Sequence, residues 1–485
     1  MQPKMELLSD ELVGRVLDEA YQLMLNPGIK VQSAEARQLL AEAGAQVSAD
    51  SEVVKIPQKV VEKALETVPH VFTVYDRLGN PSVTYGGDVV QFDPGSSGVH
   101  IFDPDTFEHK PSYANDLARV VKIADMLPQY DAQSTAIVCN EIPKEVGDLY
   151  RLYVVLLHSN KPIVTGSFSI KTLDTMIEML AIFAGDRRAL AEKPQAVFDV
   201  CPSPPLIWSE FGSQNLIELA RAGVPAEMVS MPLAGGAGPV TLLGSVVQHA
   251  AECLSGIAIH QLAKAGAPIV WGGAPAIFDM RKGSTPFGAI ETAMIDASYA
   301  QVGKSLGLPT HAYLGASDSK LIDAQAGLES GLTAMIGALA GINMISGAGM
   351  LDFLACQSPE KLVMDAEAIG MVKRLLGGMK VQTETLATAM FEGINFKGDF
   401  LKQKITRELF AKEQYLPSAV IDRASVRAWQ AEGGTDAFSR AKVRTKQLLS
   451  EYKRPEMDAD KEQELHSMVE NLARKAGMDT LPVLD

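Results

Sequence analysis

The chain of 485 residues lacks an excess of positive charge, a set of paired cysteines and a membrane-spanning apolar run. Its 59 acidic and 44 basic residues give a net charge of −15, which argues against binding to a nucleic-acid backbone. The four cysteines are scattered without a Cys-x-x-Cys pair, as is typical of reduced thiols in the cytoplasm. No apolar run reaches the roughly 20 residues that cross a bilayer, and the N-terminus does not resemble a secretory signal. We therefore expect a cytoplasmic protein that contacts neither membrane nor nucleic acid.

Sequence motifs for metals and nucleotides are missing as well. The chain has no His-Glu-x-x-His, no His-x-His, no cysteine pair at ligand spacing, no P-loop and no dinucleotide-binding fingerprint. His249 and His260 nearly share one face of a predicted helix, but ordinary core or surface histidines explain that spacing equally well. We expect no metal bound directly to the chain.

What the sequence does contain is a regular alternation of short apolar segments and helical segments. Apolar runs of this kind are typical of strands buried on both faces, and their alternation with helices indicates a parallel sheet. Seven strands are predicted, at 132–138, 163–168, 196–201, 226–233, 268–273, 309–315 and 341–347. An eighth strand is less clear and is expected at 379–383 or 394–401. The pattern favours an α/β fold with a (β/α)8 barrel of the TIM type over an open doubly wound sheet.

Three regions follow from this pattern. Residues 1–110 combine predicted helices with short alternating strands and are expected to form an N-terminal α+β cap. Residues 111–404 form the barrel core. Residues 405–485 are charged and helical, and they are expected to wrap around the barrel or to lie between subunits.

A glycine-rich stretch, AGGAGPVT at 234–241, lies between a predicted strand and a predicted helix. Gly235, Gly236 and Gly238 allow the backbone to approach a ligand or to adopt positive φ, and Pro239 suits a first helical turn. Such a loop can present N–H groups to a ligand at the carboxyl end of a strand. A structural turn without a ligand is the commoner outcome, and the sequence leaves both open.

Function in a barrel belongs at the carboxyl ends of the strands. Several aromatic residues fall at this rim, and aromatic faces hold quaternary ammonium groups, which cannot donate hydrogen bonds. The aromatic residues are Trp208, Trp271, Phe278, Tyr313 and Phe353. Alternatively, each ring only covers the core. Glu252 and Asp318 are weak candidates for general acid–base groups, and helix caps or solvated faces explain most of the other acids.

Four short motifs resemble the trimethylamine methyltransferase (MttB) superfamily, and the likeness covers nearly the whole chain. The motifs are LAGGAGPVT at 233–241, FDMRKG at 278–283, SDSKLIDAQ at 317–325 and GAGMLD at 347–352. The resemblance implies a (β/α)8 fold and methyl transfer from an N-methylated amine to a cob(I)alamin. That corrinoid would be carried by a separate small protein that docks over the barrel mouth. Because the chain reads through as standard amino acids, it resembles the non-pyrrolysine branch, in which some members demethylate glycine betaine, proline betaine or carnitine.

On this resemblance, the five rim aromatics form a cage around a quaternary ammonium, and glycine betaine is the leading candidate substrate. A substrate carboxylate would be held by Arg281, His100, Lys320 or N–H groups of the glycine-rich loop. Leu354 occupies a position where we expect glycine in many relatives. The residues expected to face the corrinoid are Gly235, Gly236, Gly238, Gly347, Gly349 and Leu354.

Two other functions remain open at this point. One is a barrel that binds or senses a betaine without turning it over, and the other is a zinc-dependent methyltransferase acting on a thiol or alcohol. The missing Cys/His ligand set speaks against the zinc enzyme. The expected partners are a cognate corrinoid protein, a small quaternary amine and further copies of the chain in a homo-oligomer.

Overall fold

A computed structural model describes residues 2–48, 50–393 and 396–484. Many helices begin behind a Ser, Thr or Asp whose side chain accepts a hydrogen bond from the first helical turn. Within the described residues there are sixteen α-helices: α1 (Asp10–Leu25), α2 (Ala34–Glu42), α3 (Gln58–Leu65), α4 (Ala114–Met126), α5 (Gly147–His158), α6 (Ile170–Ala184), α7 (Arg187–Glu192), α8 (Glu210–Ala222), α9 (Leu242–Ala263), α10 (Ile290–Ser305), α11 (Ala324–Leu339), α12 (Pro359–Leu376), α13 (Lys404–Glu413), α14 (Val426–Ala431), α15 (Ala437–Glu451) and α16 (Ala459–Lys475).

The strands are short, and most of their residues are buried. They are β1 (Ile29–Val31), β2 (Gln46–Val47), β3 (Val53–Lys55), β4 (Phe72–Tyr75), β5 (Pro81–Tyr85), β6 (Gln91–Pro94), β7 (His100–Phe102), β8 (His109–Pro111), β9 (Gln133–Ser134), β10 (Ile163–Thr165), β11 (Ala196–Val200), β12 (Ile207–Trp208), β13 (Ala226–Met228), β14 (Leu233–Ala234), β15 (Ile269–Val270), β16 (Ala276–Ile277), β17 (His311–Ala312), β18 (Met344–Ala348), β19 (Met350–Leu351) and β20 (Cys356–Gln357).

Two parallel sheets form the centre of the molecule. One has the order β15-β13-β11-β10-β9 and the other the order β17-β18-β6, and all of these neighbours pair in parallel. On one side they meet at a parallel bridge between Trp271 and Thr310. On the other side Asp131 donates its backbone N–H to the carbonyl of Phe92 at 2.8 Å. The seven predicted strands thus all contain an observed strand of the parallel set.

The eighth parallel strand is not where the sequence pattern put it. It is β6, which lies within the predicted cap and pairs with β18. Residues 379–383 contain no strand, so that expectation is wrong. The other candidate, 394–401, includes Ile394 and Asn395, which lie outside the described residues, and its remainder contains a short 3-10 helix (Asp399–Lys402). β6 was missed because its four residues stand among antiparallel hairpins, where nothing local marks a long-range parallel partner.

A hairpin, β4 with β5, packs against one face of the parallel strands. Val74, Val83 and Tyr85 of the hairpin form a buried apolar cluster with residues of five parallel-strand segments: Ala132, Val164, Val197, Val270 and Met344. We call this face of the strands the inner face. Because strand side chains alternate, residues two positions further along each strand lie on the same inner face, nearer to the carboxyl edge.

The longest helix, α9, lies in the core. It has 22 residues and is apolar enough to span a membrane by length and composition alone, contrary to the expectation from the sequence, but 83% of its apolar window is buried inside the protein. Helices α1, α2, α3, α8 and α10 pack around it. Because other helices surround α9, it has no polar face, and its apolar side chains pack on all sides.

The C-terminal helices pack on the outside. α15 lies against α4 and α12, and α16 lies against α5 and α6. Tyr452, just after α15, donates its hydroxyl to the carbonyl of His158 at 2.7 Å. These contacts place α15 and α16 on the outside of the central helices, while the division into regions at 110 and 404 and a position of the tail between subunits stay predictions.

Gly347 tests how tightly β17 and β18 pack. A methyl group at this position would overlap the Leu314 carbonyl and approach the backbone nitrogen of Ala316 to 2.8 Å. We expect Gly347→Ala to cost about 2 kcal/mol or more, since backbone atoms have to move. Urea unfolding followed by circular dichroism measures this cost.

The matched control is Gly327→Ala on the exposed face of α11, where a methyl group meets no atom within 4 Å. That change should stabilise the protein by about 0.5–1 kcal/mol, because alanine loses less backbone entropy in a helix. Equal unfolding midpoints for the two variants would contradict the packing described here.

Candidate active site

Three carboxyl groups meet on the inner face. Asp199 and Glu227 are register partners on the neighbouring strands β11 and β13, and Asp93 lies on β6. Asp93 and Glu227 are fully buried, whereas Asp199 is partly accessible. An acid inside an apolar strand is costly unless it is paired or neutral, so such a cluster marks a site.

Burial separates the protonation states of these acids. It raises the pKa of Asp93 well above its usual value and, together with the charge of Asp199, does the same for Glu227. Burial also raises the pKa of Asp199, but only to about 6, because hydrogen bonds from Glu227 and Tyr313 favour its ionised form. At neutral pH, Asp199 is therefore the carboxylate that carries the charge, and a protonated Glu227 shares its proton with it.

Neutral hydrogen-bonding groups surround the acids. His311 on β17 places Nδ1 3.1 Å from Oε1 of Glu227 and Nε2 3.0 Å from the hydroxyl of Ser346 on β18. Ser346 in turn donates to Asp93, its register partner. The hydroxyl of Tyr85, from the hairpin, lies 3.4 Å from Glu227. Because burial lowers the pKa of His311 to about 3, the ring is neutral and adds no positive charge.

Above the acids, towards the carboxyl edge, the inner face becomes apolar and aromatic. Tyr313 donates its hydroxyl to Asp199 at 3.1 Å and lies 3.2 Å from the hydroxyl of Ser96. Its ring belongs to a small cluster with Val229, Ala274, Phe287 and Leu354. The rings of His311 and Tyr313, which are two residues apart in the chain, lie on the same face with their centroids 5.0 Å apart.

The loop after β19 holds Leu354 in this cluster at a conformational cost. Asp352, Phe353 and Leu354 have φ of 49°, 57° and 66°, so three consecutive non-glycine residues are left-handed. Each such residue costs roughly 1–2 kcal/mol. Backbone strain of this kind is typical of functional sites, where the surrounding structure over-determines it. The loop thereby fixes an aliphatic side chain against Tyr313, where a glycine would leave an opening.

One basic residue lies beside the acidic group. Arg151 on α5 is buried, and its Nη1 donates to the carbonyl of Thr135 at 2.9 Å and to the hydroxyl of Ser97. The ring of Phe168 covers the guanidinium, with its centroid 4.5 Å away. Ser97 and Phe168 are exposed, so this arginine lies just below the surface at the carboxyl edge. We call the accessible surface that Ser97, Phe168, Cys201, Phe287 and Leu354 form at the carboxyl edge the mouth.

Trp208 and Trp271 do not reach the mouth. Both indoles are buried at 1% exposure or less. Trp208, on β12 beside β1, donates its ring N–H to Ser255 at 3.0 Å. Trp271 points away from the inner face, because its neighbour Val270 occupies that face, and donates to the carbonyl of Tyr299 at 2.9 Å. Position after a strand therefore did not bring them to the mouth, because strand alternation and a second sheet turned them into the core.

The other predicted binding residues lie on the rim with partners of their own. Phe278 is half-buried beside the glycine-rich loop. Phe353 is covered by the Lys320 ammonium, 3.7 Å from its ring centroid, and Lys320 lies 3.3 Å from Asp352. Arg281 is exposed and pairs with its neighbour Asp279 at 2.7 Å. None of these contacts brings them to Asp199.

His100 lies at the start of β7, the strand that pairs with β20. Its Nδ1 is buried without a hydrogen-bond partner. Its assignment to a substrate carboxylate stays a prediction.

The glycine-rich loop is a turn in which the N–H groups of its three glycines are already used. The N–H groups of Gly236 and Gly238 donate to the carbonyl of Leu233 at 2.8 and 3.0 Å, and Gly235 donates to the carbonyl of Gly238 at 3.1 Å. They are not free for an anion, contrary to one of the expectations. Pro239 also lies outside the first helical turn, because α9 begins at residue 242 behind Thr241.

Two glycines expected to face a corrinoid are buried packing positions. Gly347 lies against the segment that follows β17, and a side chain on Gly349, which has φ of +81°, would overlap the amide of Gln357. Gly235 and Gly236 are at least partly exposed at the rim. Gly238 is partly exposed as well, so these three glycines and Leu354 have surfaces that a partner could meet.

Glu252 and Asp318 anchor loops. Glu252, on α9, accepts hydrogen bonds from the backbone N–H of Leu206, the hydroxyl of Ser230 and the amide of Gln248. Asp318 accepts the backbone N–H groups of Phe287 and Gly288 at 2.8 and 3.0 Å. Both are held by several donors, and Asp318 acts on the site by positioning Phe287.

Sequence reasoning missed Asp93, Asp199, Glu227, Tyr85 and Arg151. A signal for the acids was present: each stands alone inside an apolar strand segment, in QFDP, AVFDV and AEM. A single carboxyl group among the apolar residues of a buried strand departs from the expected pattern and therefore indicates a candidate site. No local signal marks Arg151 or Tyr85, which reach the site from a helix and a hairpin. The described residues contain no group of three or more His, Cys, Asp or Glu side chains arranged for a metal.

These features define an α/β protein with a candidate active site at the carboxyl edge of its parallel strands. The family described as trimethylamine methyltransferase (MTTB) matches residues 1–478. The chain is 32% identical to the trimethylamine methyltransferase MttB of Desulfitobacterium hafniense (strain DSM 10664 / DCB-2), over 92% of this chain and 89% of that protein. It is 29% identical to the glycine betaine methyltransferase of Desulfitobacterium hafniense (strain Y51), over 98% of both.

Among solved structures, the monomethylamine methyltransferase (MtmB) of Methanosarcina barkeri superposes with a TM-score of 0.47 and 11% identity, over 92% of this chain and 89% of that one. The match over residues 1–478 shows that the chain belongs to the trimethylamine methyltransferase (MttB) family, and it is a methyltransferase.

Cys201 offers a chemical probe of the mouth. It is exposed two residues beyond Asp199, whereas Cys139, Cys253 and Cys356 are buried. The atoms around it and the charge of Asp199 raise the pKa of its thiol to about 12. Iodoacetamide should therefore alkylate Cys201 alone in the native protein, at a rate that rises about tenfold per pH unit from 7 to 10 without a plateau. Mass spectrometry of tryptic peptides measures this rate, with Cys201→Ser as the control; a plateau near pH 8 would show that the thiol is not shielded in this way.

Proposed function

We propose that this chain transfers a methyl group from a quaternary amine to the Co(I) corrinoid of a partner protein. The observation that carries the proposal is the single ionised carboxylate, Asp199, under an apolar and aromatic cluster at the mouth. A quaternary ammonium is a cation that cannot donate hydrogen bonds, so it needs a negative charge nearby and apolar contacts for its methyl groups. Family membership supports the reaction class, and the glycine betaine relative makes a betaine the leading substrate.

The site residues have separate tasks in this reaction. Asp199 balances the positive charge, and Tyr313, Phe287, Val229 and Leu354 surround the methyl groups. Holding the substrate rigidly, with one methyl group towards the mouth, converts a bimolecular encounter into an oriented one. The corrinoid, when bound, supplies the nucleophile. The methyl group would pass to that nucleophile while the electron pair of the C–N bond stays on nitrogen, so the substrate would leave as a neutral tertiary amine and the site would need no proton donor.

The rim fits a protein partner. Exposed apolar side chains follow several of the parallel strands: Phe168, Met231, Val240, Leu243, Met280 and Leu321. Apolar side chains gathered around an opening are typical of protein interaction sites. They support docking of a corrinoid protein over the mouth, with Gly235, Gly236 and Leu354 among the surfaces it meets.

Two finer structural statements belong to the same proposal. The lateral order of the parallel strands and the contacts at both sheet boundaries support a closed (β/α)8 barrel, with β6 as its first strand. We also keep the expectations of a cytoplasmic location and a homo-oligomer.

Spectroscopy of a corrinoid protein tests the reaction directly. The full chain is mixed with a Co(I) corrinoid protein and, in turn, glycine betaine, proline betaine, carnitine, choline and trimethylamine. We expect loss of the Co(I) absorbance with a quaternary amine and none with trimethylamine, whose nitrogen lacks a permanent positive charge. Calorimetric binding of a quaternary amine without any methyl transfer would instead favour the sensing function, and turnover of trimethylamine alone would overturn the quaternary-amine proposal.

The charge of Asp199 makes a second prediction. Asp199→Asn should weaken glycine betaine binding at least about 30-fold, since removing one partner of a shielded charge pair costs 2 kcal/mol or more. Because a raised pKa leaves Asp199 protonated below about pH 6, the wild-type Kd should be flat above pH 7. It should rise about tenfold per unit below pH 6, while the variant shows no such rise. Isothermal calorimetry measures both.

Asp296→Asn is the matched control for this prediction. Asp296 on α10 is also a buried aspartate with a raised pKa, and neither carboxylate oxygen has a hydrogen-bond partner. It lies outside the site, so glycine betaine binding should not change. Equal losses in both variants would indicate a general effect of removing a buried acid.

A further inference from the structure

Two opposite charges lie near the mouth without forming an ion pair with each other. Asp199 is the ionised acid, and Arg151 is a buried arginine near the same opening. Among the residues that the structure describes, no carboxylate lies within 4 Å of the Arg151 guanidinium. A buried arginine normally has an anionic partner, because its charge is expensive to remove from water.

The hydrogen bonds of Arg151 are also incomplete. Its Nη1 makes both of the observed bonds, to Thr135 and Ser97, whereas Nε is buried without a partner. A guanidinium offers five N–H donors in a planar fork that fits a carboxylate with two bonds. The side chain is thus positioned and covered by Phe168, yet it keeps donors for a further anion.

Arg151 and Asp199 are linked through two adjacent serines. Arg151 donates to the hydroxyl of Ser97, and the hydroxyl of Ser96 lies 3.2 Å from Tyr313, which donates to Asp199. Each charge influences the pKa of the other, so they are neighbours without being an ion pair. The opening therefore has a positive end at Arg151 and a negative end at Asp199, with the Tyr313 cluster above the negative end.

We propose that Arg151 binds the carboxylate of the substrate, and that the enzyme selects a zwitterionic betaine over a quaternary amine without an acid group. The inference rests on the proposed function, since it places the ammonium at Asp199. It assigns the anionic end to Arg151 in place of Arg281 and Lys320, both of which already have carboxylate partners.

Calorimetry with two ligands tests this assignment. Glycine betaine and choline share the trimethylammonium group, but only glycine betaine has a carboxylate. In the full wild-type chain, we expect glycine betaine to bind about 10- to 100-fold more tightly than choline, the range that loss of a charge-assisted contact produces. Arg151→Gln should remove this difference by weakening glycine betaine binding, with choline binding unchanged within about twofold.

Two further variants separate recognition from structure. Arg151→Lys keeps the charge but not the fork, and it should recover part of the glycine betaine affinity. Arg188→Gln changes an exposed arginine on α7 and should leave both affinities unchanged. Melting temperatures of all variants show whether the fold is kept.

The outcomes distinguish the two proposals. If Arg151→Gln weakens the binding of both ligands equally, or of neither, Arg151 does not bind the carboxylate. Methyl transfer from either amine would still support the proposed function. If the wild-type chain binds choline as tightly as glycine betaine, zwitterion selection is wrong. If it neither binds nor demethylates either amine, both proposals are overturned.

Discussion

The hydrogen-bonded pair of Asp199 and Glu227 is the constraint on which the rest of the site depends. Two carboxyl groups that share a hydrogen bond inside a protein cannot both be ionised, because the interior screens their repulsion poorly. Burial and the charge of Asp199 keep Glu227 protonated, and hydrogen bonds from Glu227 and Tyr313 leave Asp199 as the charged member. The scaffold therefore fixes one negative charge at a defined depth below the mouth, and a rigid sheet register holds it there.

The layers of the inner face follow from that charge. The apolar hairpin cluster closes the amino end, polar groups occupy the middle, and the Tyr313 cluster lines the carboxyl end. Each layer comes from residues two positions apart on the same strands, such as Val197 and Asp199. A cation that enters from the mouth meets apolar contacts first and the carboxylate below them, an order suited to a trimethylammonium group.

Strain and glycine are used where the packing requires them. Three left-handed residues hold Leu354 against Tyr313, and the anchors Glu252 and Asp318 fix neighbouring loops through backbone N–H groups. Several of the glycines that were expected from the sequence to face the corrinoid have a steric role instead. Gly347, for example, allows two strands to approach without a side chain between them. The strain costs folding free energy and is maintained by the buried core around it.

The sequence by itself determined the α/β class, seven of the eight parallel strands, the main helices and, through motif resemblance, the family. Those features depend on local periodicity and composition, which a linear chain displays directly. The tertiary structure decided the eighth strand, because the pairing of β6 with β18 joins segments some 250 residues apart. It also decided the site. The alternation of side chains along the strands turned Trp271 towards the helix layer and Asp199 onto the inner face. No local sequence pattern could show that Arg151 from α5 and Tyr85 from a hairpin reach the same site. Where a side chain stands in the chain is a local property, whereas which side chains share one buried volume depends on contacts between distant segments.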